Sequence, residues 1–134
     1  MRTKRLGPMY LREAGVAQCV ADAIQQGAGG SYTLHAWVVM PNHVHLLITP
    51  RTGVTELLRQ LKGYTARQGN QLLGRTGTPF WQAESYDHLV RNSDEFRRIE
   101  RYIVQNPVRA GLARSAEEYL WSSARSGGLK PNAT

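Results

Sequence analysis

The chain has one cysteine, Cys19, among 134 residues. A lone thiol excludes an internal disulfide framework and any zinc site built from several cysteines. Long apolar runs are missing too, and the longest falls far short of the roughly 20 residues that cross a bilayer. The opening segment, MRTKRLGPMYLREAG, is basic but lacks the apolar centre of a secretory signal. No Gly-rich phosphate loop occurs. There is no internal repeat and no composition break that marks a second domain. These absences predict a single domain over 1–134 with irregular ends at 1–10 and 125–134, in the cytoplasm.

Acidic residues are also scarce. Ten Asp and Glu stand against 17 Lys and Arg, giving a net charge of +7, and the pI is about 10.1. Nearly all of the excess is arginine, whose planar fork matches phosphate geometry and stacks on bases. Such a balance points to nucleic acid as a partner. A basic surface kept for solubility explains the composition equally well.

Periodicity organises the rest. Residues 11–26, LREAGVAQCVADAIQQ, place Val16, Val20, Ala23 and Ile24 at helical spacing, up to the break at Gly27 to Gly30. Residues 31–40, SYTLHAWVVM, read as a strand, Pro41-Asn42 as a turn, and 43–49 as the returning strand. A second helix runs from Thr55 to about Leu73, with Val54, Leu57, Leu58, Leu61 and Tyr64 as its apolar stripe. GRTGTP, 74–79, is a loop, and SYDHLVR, 85–91, a short strand. Asn92 and Glu95 are spaced like a capping box for a third helix, which Pro107 is expected to stop. Trp121 is expected to anchor the tail.

Two histidines stand out in MPNHVHLLITP, 40–50. Strand side chains alternate, so His43, His45 and Leu47 point one way and Val44, Leu46 and Ile48 the other. Two imidazoles on one face can share a metal ion, or can pack under a helix as satisfied structural groups. The third helix, DEFRRIERYIVQNPVRAGL, buries a stripe of Phe96, Ile99 and Ile103. Tyr102 lies about 60° around the axis from Ile99, at the margin of that stripe. Asn106 follows one turn later on the same face. If this helix covers the histidine face, one metal could meet both imidazoles and the Asn106 carbonyl, with Tyr102 beside it. Tyr102 as a core margin and Asn106 as a turn residue before proline is the alternative.

AWVVMPNHVHLL resembles the signature of the HUH single-tyrosine transposases, in which two histidines flank one hydrophobic residue. WQAESYDHLVRNSDEFRRIERYIVQNPVRAGL is similar to the second half of the same domain, especially in the REP-associated tyrosine transposases. GYTARQGNQLLGRTGTPFWQ fits between them, and the likeness covers roughly residues 8 to 124. It implies an α+β, ferredoxin-like antiparallel sheet with helices packed on one face. It implies cleavage of single-stranded or hairpin DNA by a tyrosine, with a divalent metal. By motif, His43 and His45 match the histidine ligands, Asn106 the third polar ligand, and Tyr102 the nucleophile; Gln105 is a weaker match for the ligand. Relatives usually begin with a further strand in the middle of the sheet. Nothing in MRTKRLGPMYL replaces it, so the usual first strand is expected to be missing.

The chemistry suits these residue types. Two imidazoles and an amide oxygen leave positions open for phosphate oxygens, and mixed nitrogen and oxygen ligands suit Mg²⁺ or Mn²⁺. A phenol ordinarily loses its proton near pH 10, so it needs help to attack at neutral pH. Attack would leave a 5′-phosphotyrosine and a 3′-hydroxyl, and the retained bond energy would let strands rejoin. Lys62, Arg67, Arg91 and Arg109 are candidates for phosphate contacts, or ordinary surface charges. Trp81 could stack on a base or plug the core. Tyr64 is the rival nucleophile, set aside because its stripe predicts burial. Two function classes stand: a metal-dependent transposase or endonuclease, nucleoid-associated when bound to DNA, and a DNA- or RNA-binding module that keeps the fold without the chemistry. A homodimer is left open.

Overall fold

The computed structural model describes residues 10–81 and 93–125. The strand expected at 85–91, the cap at Asn92 and the candidate Arg91 lie outside the described residues. A 3-10 turn, Tyr10–Arg12, buries Leu11, whose N–H donates to the Pro41 carbonyl at 2.8 Å. Helix α1, Ala14–Gly27, follows and buries Val16, Ala17, Val20, Ala21, Ala23 and Ile24. These positions repeat every three or four residues and make one continuous apolar face. The chain turns back through Gly29, where φ is 90°, a conformation that glycine adopts without penalty.

Strand β1, Tyr32–Met40, and strand β2, His43–Pro50, form an antiparallel hairpin. Met40 faces His43 across the Pro41-Asn42 turn, Val38 faces His45, and Ala36 faces Leu47; the register shifts between Leu34 and Ala36. Facing residues share a side of the sheet, so the histidines lie with Ala36, Val38, Met40 and Leu47. The opposite side carries Trp37, Val39, Val44 and Leu46, which pack against α1 and Leu11. Helix α2, Val54–Leu73, lies against α1 in that layer, burying Leu57 and Thr65 and adding Leu61 and Leu73 to the core.

Helix α3, Ser93–Arg109, covers the histidine side. Its Ile103 is buried among Ala36, Val38, Met40 and Leu47, with Phe96 and Ile99 packed on the rim. Burying an aliphatic side chain of this size contributes about 1.5–3 kcal/mol, so these contacts fix the rotation of α3. The α+β class is as expected, but the helices are not confined to one face. Both sides of the hairpin are apolar, and each needs a helix to exclude water.

Pro107 does not stop α3, which runs on to Arg109. Proline lacks an N–H to donate, yet its carbonyl still accepts, and Leu112 N–H reaches it at 2.8 Å. The helix unwinds at Gly111, where φ is 79°. Past a 3-10 turn at Ala116–Glu118, the chain returns to the outer edge of β1. Val39 N–H donates to the Trp121 carbonyl at 2.9 Å and Ser123 N–H to the Trp37 carbonyl at 3.0 Å. Trp121 is thus an anchor through its backbone as well as its ring. Among the described residues no strand precedes α1, and the sheet has two strands plus this bridge. No helix among them is long and apolar enough to cross a membrane.

Candidate active site

The period of β2 and the turn before it set up the histidine pair. His43 and His45 emerge on the α3 side with ring centroids 4.8 Å apart and planes at 82°. His45 is 3% exposed, and His43 is half-buried. The Oδ1 of Asn42 lies 2.8 Å from Nδ1 of His43. An amide oxygen only accepts, so Nδ1 is the donor in this contact, and a neutral imidazole here carries its lone pair on Nε2. The sequence marks Asn42 as a turn residue, and only its position directly before His43 signals this contact.

Tyr102 joins this pair from α3. Its ring centroid lies 5.8 Å from that of His45, with planes at 77°. The burial of Ile103, the next residue, turns Tyr102 to the edge of the packed face. Asn106 is half-buried one turn further on. The guanidinium of Arg109 stands over the Tyr102 ring, 4.2 Å from its centroid, and Nη2 donates to the Tyr102 carbonyl at 2.8 Å. His35, in contrast, is engaged at the far end of the hairpin. Its Nε2 meets Thr49 Oγ1 at 2.7 Å, and its ring stands 4.9 Å from that of Phe96.

Among the described residues no three His, Cys, Asp or Glu side chains converge as a metal site. Two imidazoles come together here, so a metal ion held between them would need its other ligands from oxygen, whether of an amide, a phenol, water or phosphate. Such a set fits a hard divalent ion that keeps most of its water or phosphate ligands, and does not fit a closed structural zinc site.

The remaining candidates are dispersed. Lys62, Arg67 and Trp81 belong to the α2 layer, across the hairpin from Tyr102. Arg67 is exposed. The Trp81 indole N–H donates to the Lys62 carbonyl at 3.1 Å and to Thr65 Oγ1 at 2.9 Å, and its ring meets that of Phe80 at 5.1 Å. Trp81 is packed as part of the core margin. Tyr64 is 42% exposed, contrary to the expected burial, because the buried line of α2 runs through Thr65 and Gly69 instead. Its place in the α2 layer, away from the histidine face, is what separates it from the site. Tyr32 and Tyr119 are buried and commit their hydroxyls to the carbonyls of Ile24 and Val39. Burial raises both phenols, Tyr119 to about 12. Tyr10 is stacked on Phe80 at 5.3 Å with Arg75 over its ring at 4.4 Å.

A family model described as "Transposase IS200 like" matches residues 15–106, a span that holds both histidines, Tyr102 and Asn106. The chain belongs to the IS200-like transposase family. It is 27% identical over 95 residues to a REP-associated tyrosine transposase of Escherichia coli strain K12, a match covering 69% of this chain and 54% of that protein. The chain thus spans about half the length of that relative. A solved structure of a REP-associated tyrosine transposase bound to a REP hairpin superposes with a TM-score of 0.65 at 22% identity, covering 90% of this chain and 70% of the other. That likeness establishes the shared fold.

Proposed function

We propose that this IS200-like family member cleaves and rejoins single-stranded DNA through Tyr102, with His43, His45 and Asn106 holding a Mg²⁺ or Mn²⁺ ion. The observation that carries the reading is the convergence of two imidazoles and one phenol, with ring centroids 4.8 Å and 5.8 Å apart, on the face that α3 covers. The contact of His43 Nδ1 with Asn42 Oδ1 supports a ligand role, because an imidazole that donates from Nδ1 coordinates a metal through Nε2. When bound, the ion supplies Lewis acidity at a phosphate oxygen and screens the charge that repels a nucleophile.

The phenol oxygen of Tyr102 attacks phosphorus, forming an O–P bond as the bond to the 3′-oxygen breaks. The phenol proton is lost to solvent or base, and the departing 3′-oxygen takes up another. The product is a 5′-phosphotyrosine, and the same step run backwards joins strands. A related structure is bound to a REP hairpin, which supports a hairpin-bearing single strand as substrate. Lys62, Arg67 and Arg91 serve as flanking phosphate contacts in this reading, and the bound protein sits at the nucleoid.

The test is incubation with hairpin-bearing single-stranded DNA and Mn²⁺, run on a denaturing gel. Wild type is expected to give an adduct that survives boiling in detergent, and Tyr102→Phe to bind DNA without giving one. Hairpin binding with no adduct from wild type under any divalent metal would leave a binding module instead.

A further inference from the structure

The last two turns of α3 hold an arrangement that neither the ligand set nor the nucleophile accounts for. Arg109 follows Tyr102 by seven residues, which places both on one side of the helix about 10 Å apart along the axis. Helical side chains lean toward the N-terminus, and Arg109 leans two full turns back. Its guanidinium carbon lies 4.2 Å from the Tyr102 ring centroid, and its Nη2 donates to the carbonyl of the same residue at 2.8 Å. One contact holds the ring and the other ties the arginine to the backbone that carries it. The same ring meets His45, so the phenol is held between a fixed cation and a fixed imidazole. Arg97, Arg98 and Arg101, also on α3, are exposed as Arg109 is, but among the described residues only Arg109 combines a ring contact with a bond to the backbone of the same residue.

We propose that Arg109 is a positioning residue for Tyr102: it fixes the phenol ring beside the histidine pair. The inference rests on Tyr102 being the nucleophile. Loss of the clamp lets the ring swing, and a misplacement of about 1 Å in a reacting group can cost about 100-fold in rate.

The experiment compares Arg109→Gln and Arg109→Lys with wild type in two readouts. The first is the nuclear Overhauser contact between the Tyr102 and His45 rings, measured without DNA. It should weaken in Arg109→Gln, and it does not depend on any chemistry. The second is single-turnover adduct formation with Mn²⁺ at saturating hairpin DNA, beside affinity and its salt dependence. Arg109→Gln should lower the saturated rate by about 100-fold and leave affinity and salt slope nearly unchanged. Arg109→Lys should recover part of the rate, since its point charge can sit on the ring but cannot also make the fork's second contact. An unchanged ring contact overturns the proposal. So does an unchanged saturated rate with weaker binding and a salt slope reduced by about one charge, which would make Arg109 a phosphate contact. An adduct that persists in Tyr102→Phe would sink the nucleophile assignment while leaving the ring contact to be judged by itself.

Discussion

Two glycines of α2 should respond to alanine in opposite directions. In a helix interior glycine costs about 1 kcal/mol relative to alanine, so both substitutions carry the same favourable term. At Gly63 nothing opposes it: the nearest atom to an added methyl is Nη1 of Arg67 at 3.7 Å, the end of a flexible chain. At Gly69 the methyl would lie 2.6 Å from Cε1 and 2.8 Å from Cζ of Phe80, roughly 1 Å inside normal carbon contact. The ring has nowhere to retreat. Phe80 is 8% exposed, stacked on Tyr10, and edged by Trp81, which is itself hydrogen-bonded to α2. Overpacking of this kind costs about 1–3 kcal/mol, which outweighs the propensity gain. Gly69→Ala should therefore lose up to about 2 kcal/mol, and Gly63→Ala should gain about 0.5–1 kcal/mol. Urea denaturation at constant m-value measures both. A rise in midpoint for Gly69→Ala, or the same shift at both positions, would refute the account of the Phe80 contact.

Two further outcomes follow from named contacts and a third from the net charge. Burial holds the Tyr119 phenol at about 12 in the folded chain, above its ordinary value near 10, so its contribution to stability is whole below pH 10 and is lost as pH rises toward 12. Tyr119→Phe should start less stable, because the Val39 carbonyl loses its donor, yet decline less steeply over that window; an equally steep denaturation profile would contradict this. Asn42→Ala removes the contact that sets the His43 tautomer and should weaken Mn²⁺ binding by about 10- to 100-fold in calorimetry, with the circular dichroism unchanged; unaltered affinity would remove Asn42 from the site. With a net charge of +7, binding to hairpin-bearing single strands should exceed binding to plain duplex and fall linearly on a log–log salt plot; equal affinities across the series would count against the proposed substrate.

The hairpin and its histidine face were legible because a strand has a period of two and few ways to start. The Tyr, Trp and Val of β1, the Pro41-Asn42 turn and the alternation of β2 leave one arrangement, and the side that His43 and His45 share follows from it. The relation of Tyr102 to Asn106 is likewise a consequence of helical spacing. The layer order was not legible, since Val44 and Leu46 on one side look as ready for a helix as Val38 and Leu47 on the other. The stripe of α2 misled for a local reason: Gly69 is buried by having no side chain, so Phe80 enters there and Tyr64 turns to solvent. The seating of Trp121 and Ser123 on β1 and the fold-back of Arg109 onto Tyr102 are contacts that no local pattern encodes.

The central claim is that Tyr102 forms the covalent bond to DNA, and the mass of one peptide decides it. Trypsin cuts after lysine and arginine, so the chain releases YIVQNPVR, residues Tyr102 to Arg109, as a fragment with a single tyrosine. The rival tyrosine leaves in a separate fragment, GYTAR, from Gly63 to Arg67. The gel-purified adduct, digested with nuclease and then trypsin, should carry a nucleotide's mass on the first fragment. That mass on the second fragment, or on any other, would contradict the account.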